Sequence, residues 1–129
     1  MIVIDCGAVV DALAGAPGAE EVRERVRAEE LHAPHLLDYE VVSAVRGLTL
    51  GGHLSEPRAL DALADFDELP VFRWVASDGL RRRALGLRHN LSAYDAAYAA
   101  LAEALECPLL TRDRRVAEAV GHDVRIEVV

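Results

Sequence analysis

Met1-Ile2-Val3-Ile4-Asp5 begins the sequence with an unbroken apolar run that a carboxylate stops at once. A short continuous apolar run, with no polar alternation, suits a strand buried on both faces of a parallel sheet. Leu109-Leu110-Thr111, followed by Asp113, has the same form late in the chain. Three further strands are expected at Leu31–Ala33, Val71–Arg73 and Val124–Val128. Helical patterns fill the intervals: about 8–14, ended by Gly15, Pro17 and Gly18; 19–29; Leu36–Leu50, stopped by Gly51-Gly52; Ser55 to about Glu68; 77–88; Ser92 to Glu106; and 113–120. Ser55 and Ser92 are placed as N-caps, and Pro57 is tolerated in a first turn. Strands alternating with helices imply right-handed crossovers and helices on both faces. The expected fold is therefore a three-layer α/β/α domain with a five-stranded, mainly parallel sheet, one domain over residues 1–129.

Bulk composition narrows the function. The formal net charge of −8 excludes a general nucleic-acid coat protein, which presents a basic face to phosphates. It leaves room for a nuclease, because a bound cation offsets clustered carboxylates in the working protein. All fourteen basic residues are arginine. Lysine-dependent chemistry is thereby excluded, including the phosphate-receiver and haloacid-type hydrolase folds that pair an Asp after the first strand with a Lys. No leader or spanning segment stands out, and Cys6 and Cys107 are too few for a disulfide framework. A cytoplasmic protein with reduced, buried thiols and no membrane partner is expected.

Four acids stand out. Asp5 and Asp113 each follow a strand, at the carboxyl edge where open α/β sheets place ligand sites. Each also precedes a helix and reads equally well as its N-cap. Glu40 is more telling: its helical neighbours are Leu36, Leu37, Val41, Ala44 and Val45. A carboxylate on that side is costly unless a cation or hydrogen bonds compensate; the alternative is an edge residue that bends out to water. Asp95 lies on a helix that is apolar nearly all round, yet Ser92-Ala-Tyr-Asp95 also fits a capping box in which Asp95 reaches back to the Ser92 amide. Carboxylates crowded into one cleft cannot all stay ionised without a counter-charge. Hard oxygen donors that leave room for water suit Mg²⁺ or Mn²⁺ rather than zinc. Arg112, Arg114 and Arg115 flank Asp113 and could hold phosphates or simply be solvated helix charges; Arg81–Arg83 reads as a surface face. His32-Ala-Pro-His35 is a weak metal pair, since nothing nearby completes a zinc site. No phosphate loop or nucleophile elbow occurs.

With these residues in order, the sequence resembles a PIN domain, and within it the VapC-type toxins of prokaryotic toxin–antitoxin pairs. The carriers are Ile2-Val-Ile-Asp5, Glu40-Val-Val-Ser-Ala-Val-Arg46, Leu91-Ser-Ala-Tyr-Asp95-Ala-Ala-Tyr98 with Leu101-Ala-Glu103, and Leu110-Thr111-Arg-Asp113, across essentially the whole chain. The family's acidic quartet falls on Asp5, Glu40, Asp95 and Asp113, which the resemblance implies are the catalytic and metal-holding residues. Thr111 matches a hydroxyl residue that accompanies the last acid, and Ser92 supports the helix bearing Asp95. The resemblance implies a ribonuclease that uses one or two Mg²⁺ or Mn²⁺ ions. Metal-activated water would cut RNA, often structured RNA such as tRNA, leaving 5′-phosphate and 3′-hydroxyl ends. It also implies a homodimer, and inhibition by a small cognate antitoxin whose tail fills the acidic cleft. The sequence departs from the family's pattern at Gly7, where Ser or Asn is usual, and at Ser43, where Asn is common. Both changes bear on hydrogen bonding behind the carboxylates.

Two other classes of function use the same residues. A catalytically silent PIN fold would serve as a protein-interaction module and bind no Mn²⁺. A metal-dependent DNA nuclease or phosphatase would prefer single-stranded DNA or a phosphomonoester over RNA.

Overall fold

The computed structural model describes Met1–Val129. Its strands are β1 (Ile2–Ile4), β2 (Leu31–Pro34), β3 (Val71–Trp74), β4 (Leu109–Thr111) and β5 (Ile126–Val128). They form one five-stranded sheet in the order β3-β2-β1-β4-β5. Every neighbouring pair is parallel, so the expected mainly parallel sheet is parallel throughout. The reason lies in the connections, since each passes through at least one helix and parallel neighbours need such a crossover.

The helices are α1 (Cys6–Ala14), α2 (Glu20–Ala28), α3 (Leu36–Leu50), α4 (Glu56–Glu68), α5 (Asp78–Gly86), α6 (Ala93–Leu105) and α7 (Arg114–Glu118). Helix α1 packs on α2, α3 and α4, and α3 packs on α4, which makes one layer. In the other layer α6 lies against α5 and against strands β1 and β2. The chain lays down β1, β2 and β3 in one direction, then returns to place β4 on the far side of β1. Strand order therefore reverses between β1 and β4, the position where an open α/β sheet leaves a crevice at its carboxyl edge.

Local chemistry accounts for the element ends. Asp5 accepts a hydrogen bond from the Ala8 amide at 2.9 Å, so α1 starts at Cys6 rather than near residue 8. Ser55, Ser77 and Ser92 cap α4, α5 and α6 in the same way. The last helix is shorter than expected, ending at Glu118, and β5 begins at Ile126 rather than Val124. Arg83 donates to both carboxylate oxygens of Glu103, at 2.7 and 2.9 Å, and to the Gly121 carbonyl at 2.8 Å. That fork joins α5 and α6 to the segment before β5, while Arg81 and Arg82 lean on Asp78 at the surface.

The core is aliphatic. Ile2, Val3, Ile4, Leu31, Leu109 and Leu110 are all but inaccessible, and Leu37, Val41, Val45, Leu101 and Ala102 close over them from the helices. The two cysteines are free and half-buried, not fully buried as expected. Cys6 is drawn outward because it begins α1 beside Asp5 at the crevice. No helix is long and apolar enough to cross a membrane.

Leu110 is fully buried on β4, between β1 and β5. Leu110→Ala should cost about 3 kcal/mol, as cavity-forming Leu→Ala changes do. Urea denaturation measures it, and a loss below about 1 kcal/mol would contradict a packed layer on both sides of β4.

Candidate active site

The crevice at the β1/β4 reversal is a concavity of about 350 Å³ lined by Asp5, Cys6, Gly7, Glu40, Asp95, Tyr98, Arg112 and Asp113. Four separate elements thus deliver the four predicted acids to one place. Asp5 comes from the end of β1 and Asp113 from the end of β4; Glu40 comes from α3 and Asp95 from the first turn of α6. Helix α3 belongs to one layer and α6 to the other, so the carboxylates meet over the sheet edge from both sides.

The cap readings of Asp5 and Asp113 hold together with their place in the cleft. Asp5 caps α1 through Oδ1, and its Oδ2 accepts the Thr111 hydroxyl. Thr111 is wholly buried, and its Oγ1 accepts the Asp113 amide at 3.0 Å. One side chain therefore ties both strand-end acids together. Asp113 Oδ1 accepts the Arg115 amide at 2.9 Å, the cap of α7. The Asp95 amide donates to the Ser92 hydroxyl oxygen at 3.2 Å, but the return bond of a capping box is not formed. The Asp95 carboxylate faces the cleft instead. Glu40 does not bend out to water: its Oε1 accepts the Tyr98 hydroxyl at 2.6 Å.

Electrostatics separates these acids. Burial pushes the Asp5 carboxyl above its ordinary range, and the charges of Asp95 and Asp113 add to the effect, against the Thr111 and Ala8 bonds. Burial likewise raises Glu40, opposed by the Tyr98 bond and reinforced by Asp95 and Asp5. Asp113 is lowered instead, because Arg115 donates to it from Nε at 3.1 Å and Nη2 at 2.8 Å. The Cys6 thiol is pushed up to about 12 by burial and by Glu40 and Asp5, so it is held as an inert thiol.

The donor set is entirely hard oxygen, and two of its members are only partly compensated, which is the chemistry a divalent cation satisfies. Ready spacing is another matter. No three His, Cys, Asp or Glu side chains stand close enough to form a ligand group. Asp113 is engaged through both oxygens by Arg115 and must shift to share an ion, whereas Glu40 is bonded to Tyr98 through Oε1 alone.

The remaining predicted residues sort clearly. Arg112 lines the cleft but pairs with Asp11 at 2.5 Å, Arg115 is committed to Asp113, and Arg114 is exposed. Ser92 caps α6 outside the cleft lining. Ser43 is exposed and does not reach the cleft, so its departure from the family pattern leaves the acids untouched. Gly7 does line it, and a side chain there would meet Asp5 Oδ1 and Arg112 Cβ at an ordinary 3.6 Å, so the missing hydroxyl is not forced by crowding. The His32–His35 pair is no metal site, since His32 Nδ1 accepts from the Trp74 indole at 3.0 Å and its Nε2 meets Glu30 at 2.7 Å. Tyr98 is the cleft residue that sequence reasoning missed. Its signal was a polar-tipped side chain three residues after Asp95 on an otherwise apolar helix, where a buried hydroxyl needs a partner.

A second, larger concavity of about 550 Å³ lies between α5 and α6 at the carboxyl ends of β2 and β3. It is mainly apolar, with Trp74, Leu85 and Tyr94 partly exposed on it and Arg81 and Arg88 alongside.

The PIN domain family model matches residues 2–121. Ribonuclease VapC1 of Mycobacterium tuberculosis is 44% identical over 128 residues, covering 98% of this chain and 96% of the relative. Ribonuclease VapC12 of the same species is 39% identical over 129 residues, covering 100% and 99%. Among solved structures, a chain of VapBC2 from Rickettsia felis, bound to a DNA fragment from its promoter, superposes with a TM-score of 0.70. That match has 14% identity and covers 99% of this chain and 98% of the other.

Because Asp5 and Glu40 titrate above their ordinary range when folded, the stability tied to them is greatest in acid. It is lost as pH rises through their raised pKa values. Glu40→Gln keeps an acceptor for Tyr98 while removing the charge. Between pH 4 and 7, melting of metal-free protein should show the variant gaining on wild type as pH rises. A gap independent of pH would show that Glu40 carries no such penalty.

Proposed function

The chain belongs to the PIN-domain family, among its VapC ribonucleases, and on that premise we propose that it is a divalent-metal-dependent endoribonuclease, the toxin half of a toxin–antitoxin pair. One observation carries the reading to this chain's own residues. Asp5, Glu40, Asp95 and Asp113 arrive from four elements at a single cleft, where burial raises the pKa of two of them.

In this reading those four acids hold one or two Mg²⁺ or Mn²⁺ ions. The chemistry such an ion supplies when bound is neutralisation of phosphate charge and acidification of water. The chain's own residues do the rest. Thr111 keeps Asp5 and the Asp113 backbone in fixed relation, so the two strand-end carboxylates act as one unit. Asp95 lines the cleft from the first turn of α6. Arg115 leaves Asp113 when the cleft fills and, with Arg112 and Arg114, faces the phosphates of the RNA. All three are arginines, whose planar fork suits bidentate phosphate contact.

A small cognate antitoxin is the expected inhibitor. Arg115 resting on Asp113 supports a tail that enters the cleft, since the acids already accept a guanidinium in place of a metal ion. A homodimer is the expected assembly. Its support is the uncovered apolar groove between α5 and α6, whose Arg81 and Arg88 complement the surface of a second copy carrying a net charge of −8.

Purified chain free of antitoxin should cleave RNA only with Mg²⁺ or Mn²⁺, giving 5′-phosphate ends, and should leave single-stranded DNA and phosphomonoesters intact. Asp95→Asn, which preserves the Ser92 cap to the Asp95 amide, should reduce cleavage to background. Equal activity in the variant would end the proposal. Leu85, two-thirds exposed at 66%, is outside the folded core, so Leu85→Glu should leave the circular dichroism spectrum unchanged while converting a dimer to a monomer in light scattering. An unaltered dimer would remove the groove as its interface.

A further inference from the structure

Tyr98 is a core residue with one polar atom. Its ring is 3% exposed and packs in the main apolar cluster, one helical step of three residues after Asp95 on α6. Tyr98 also lines the acid cleft, where its hydroxyl donates to Glu40 Oε1 at 2.6 Å. The two residues lie 58 apart in sequence and belong to opposite helix layers, so this bond spans the sheet edge. It is also the one hydrogen bond that Glu40's side chain receives from the protein, which leaves Oε2 uncommitted. A half-buried carboxylate with no such donor would turn to water or take up a proton.

We propose that Tyr98 is a positioning residue for the cleft: its hydroxyl holds the Glu40 carboxylate inward by one oxygen and leaves the other for a divalent cation. The inference rests on the metal-dependent reading above. A donor behind a ligand fixes the ligand's orientation before the ion arrives, and such supporting bonds are typically worth 10- to 100-fold in metal affinity. A merely structural tyrosine would contribute packing, which phenylalanine retains. The distinguishing feature is coupling through Glu40.

Calorimetric titration with Mn²⁺ alone, on the full chain, tests this in wild type, Tyr98→Phe, Glu40→Gln and the double variant. Tyr98→Phe should weaken binding by about 10-fold, with the circular dichroism spectrum unchanged. In the Glu40→Gln background the same substitution should have no further effect. If wild type does not bind Mn²⁺, the metal reading fails and takes this inference with it. If wild type binds and Tyr98→Phe binds equally well, only the inference fails. An equal loss in both backgrounds would assign the effect to core packing and also overturn it. A second measurement guards against a misfolded variant. Tyr39→Phe with Tyr94→Phe changes two exposed positions and leaves Tyr98 the sole tyrosine. Adding Mg²⁺ should then perturb the tyrosine ultraviolet difference spectrum with a midpoint matching Mg²⁺ calorimetry, and a flat spectrum would count against the contact.

Discussion

The Thr111 hydroxyl, buried between the ends of β1 and β4, is the contact on which the cleft depends. It donates to one strand-end carboxylate and accepts from the backbone of the other. It can do so because the two strands are parallel neighbours, with Ile4 opposite Leu110. Parallel pairing sends both chains out of the sheet at the same edge. The reversal of strand order at that point leaves the crevice open for α3 and α6 to add Glu40 and Asp95 from the two helix layers. An antiparallel β4 would have put Asp113 at the opposite edge, some strand-lengths from Asp5.

Placing these charges together weakens the fold that assembles them. Asp5 and Glu40 are each held above their ordinary titration range, chiefly by burial, with nearby carboxylates making it worse. The bonds from Ala8, Thr111 and Tyr98 reduce that cost without removing it. Arg115 relieves Asp113 alone, from a side chain that is 88% exposed and therefore free to leave. A site built only for stability would pair its carboxylates or replace them with apolar residues. Unrelieved acids at a ligand-binding edge are the pattern of a site completed by something bound.

Much of this was legible in the sequence, and the residues show why. Continuous apolar runs at Met1–Ile4 and Leu109–Leu110 can be satisfied only inside a covered parallel sheet, and β1 and β4 stand where those runs lie. The Ser55 and Ser92 caps were legible because capping is local chemistry. The choice between cap and ligand for Asp5 and Asp113 was posed as an alternative, whereas a carboxylate has two oxygens and each residue serves both settings. Glu40 was legible as an anomaly among apolar neighbours. Its remedy was not, because Tyr98 lies on a distant helix and only the topology brings them together. Arg112 and Arg115 were visible as charges but not as partners of Asp11 and Asp113, since the way an arginine side chain turns leaves no periodic trace.

Size alone would have pointed to the wrong place. A hollow of about 610 Å³ beside Glu103 and Arg125 exceeds both other concavities in volume. The apolar groove between α5 and α6, itself larger than the acid cleft, is by shape the more obvious ligand pocket. Yet no carboxylate or cysteine lines it, and its only histidine-linked feature, the Trp74 indole bonded to His32, is fully satisfied. Nothing there is poised to move a proton or hold an ion. The smaller cleft gathers acids whose ionisation is opposed, a hydroxyl aimed at one of them, and arginines that can exchange partners. Chemistry needs groups that are costly to assemble, whereas association needs only surface that is costly to expose. The two concavities divide along that line, which is why the proposed reaction is assigned to the β1/β4 reversal and the proposed partner contact to the α5/α6 face.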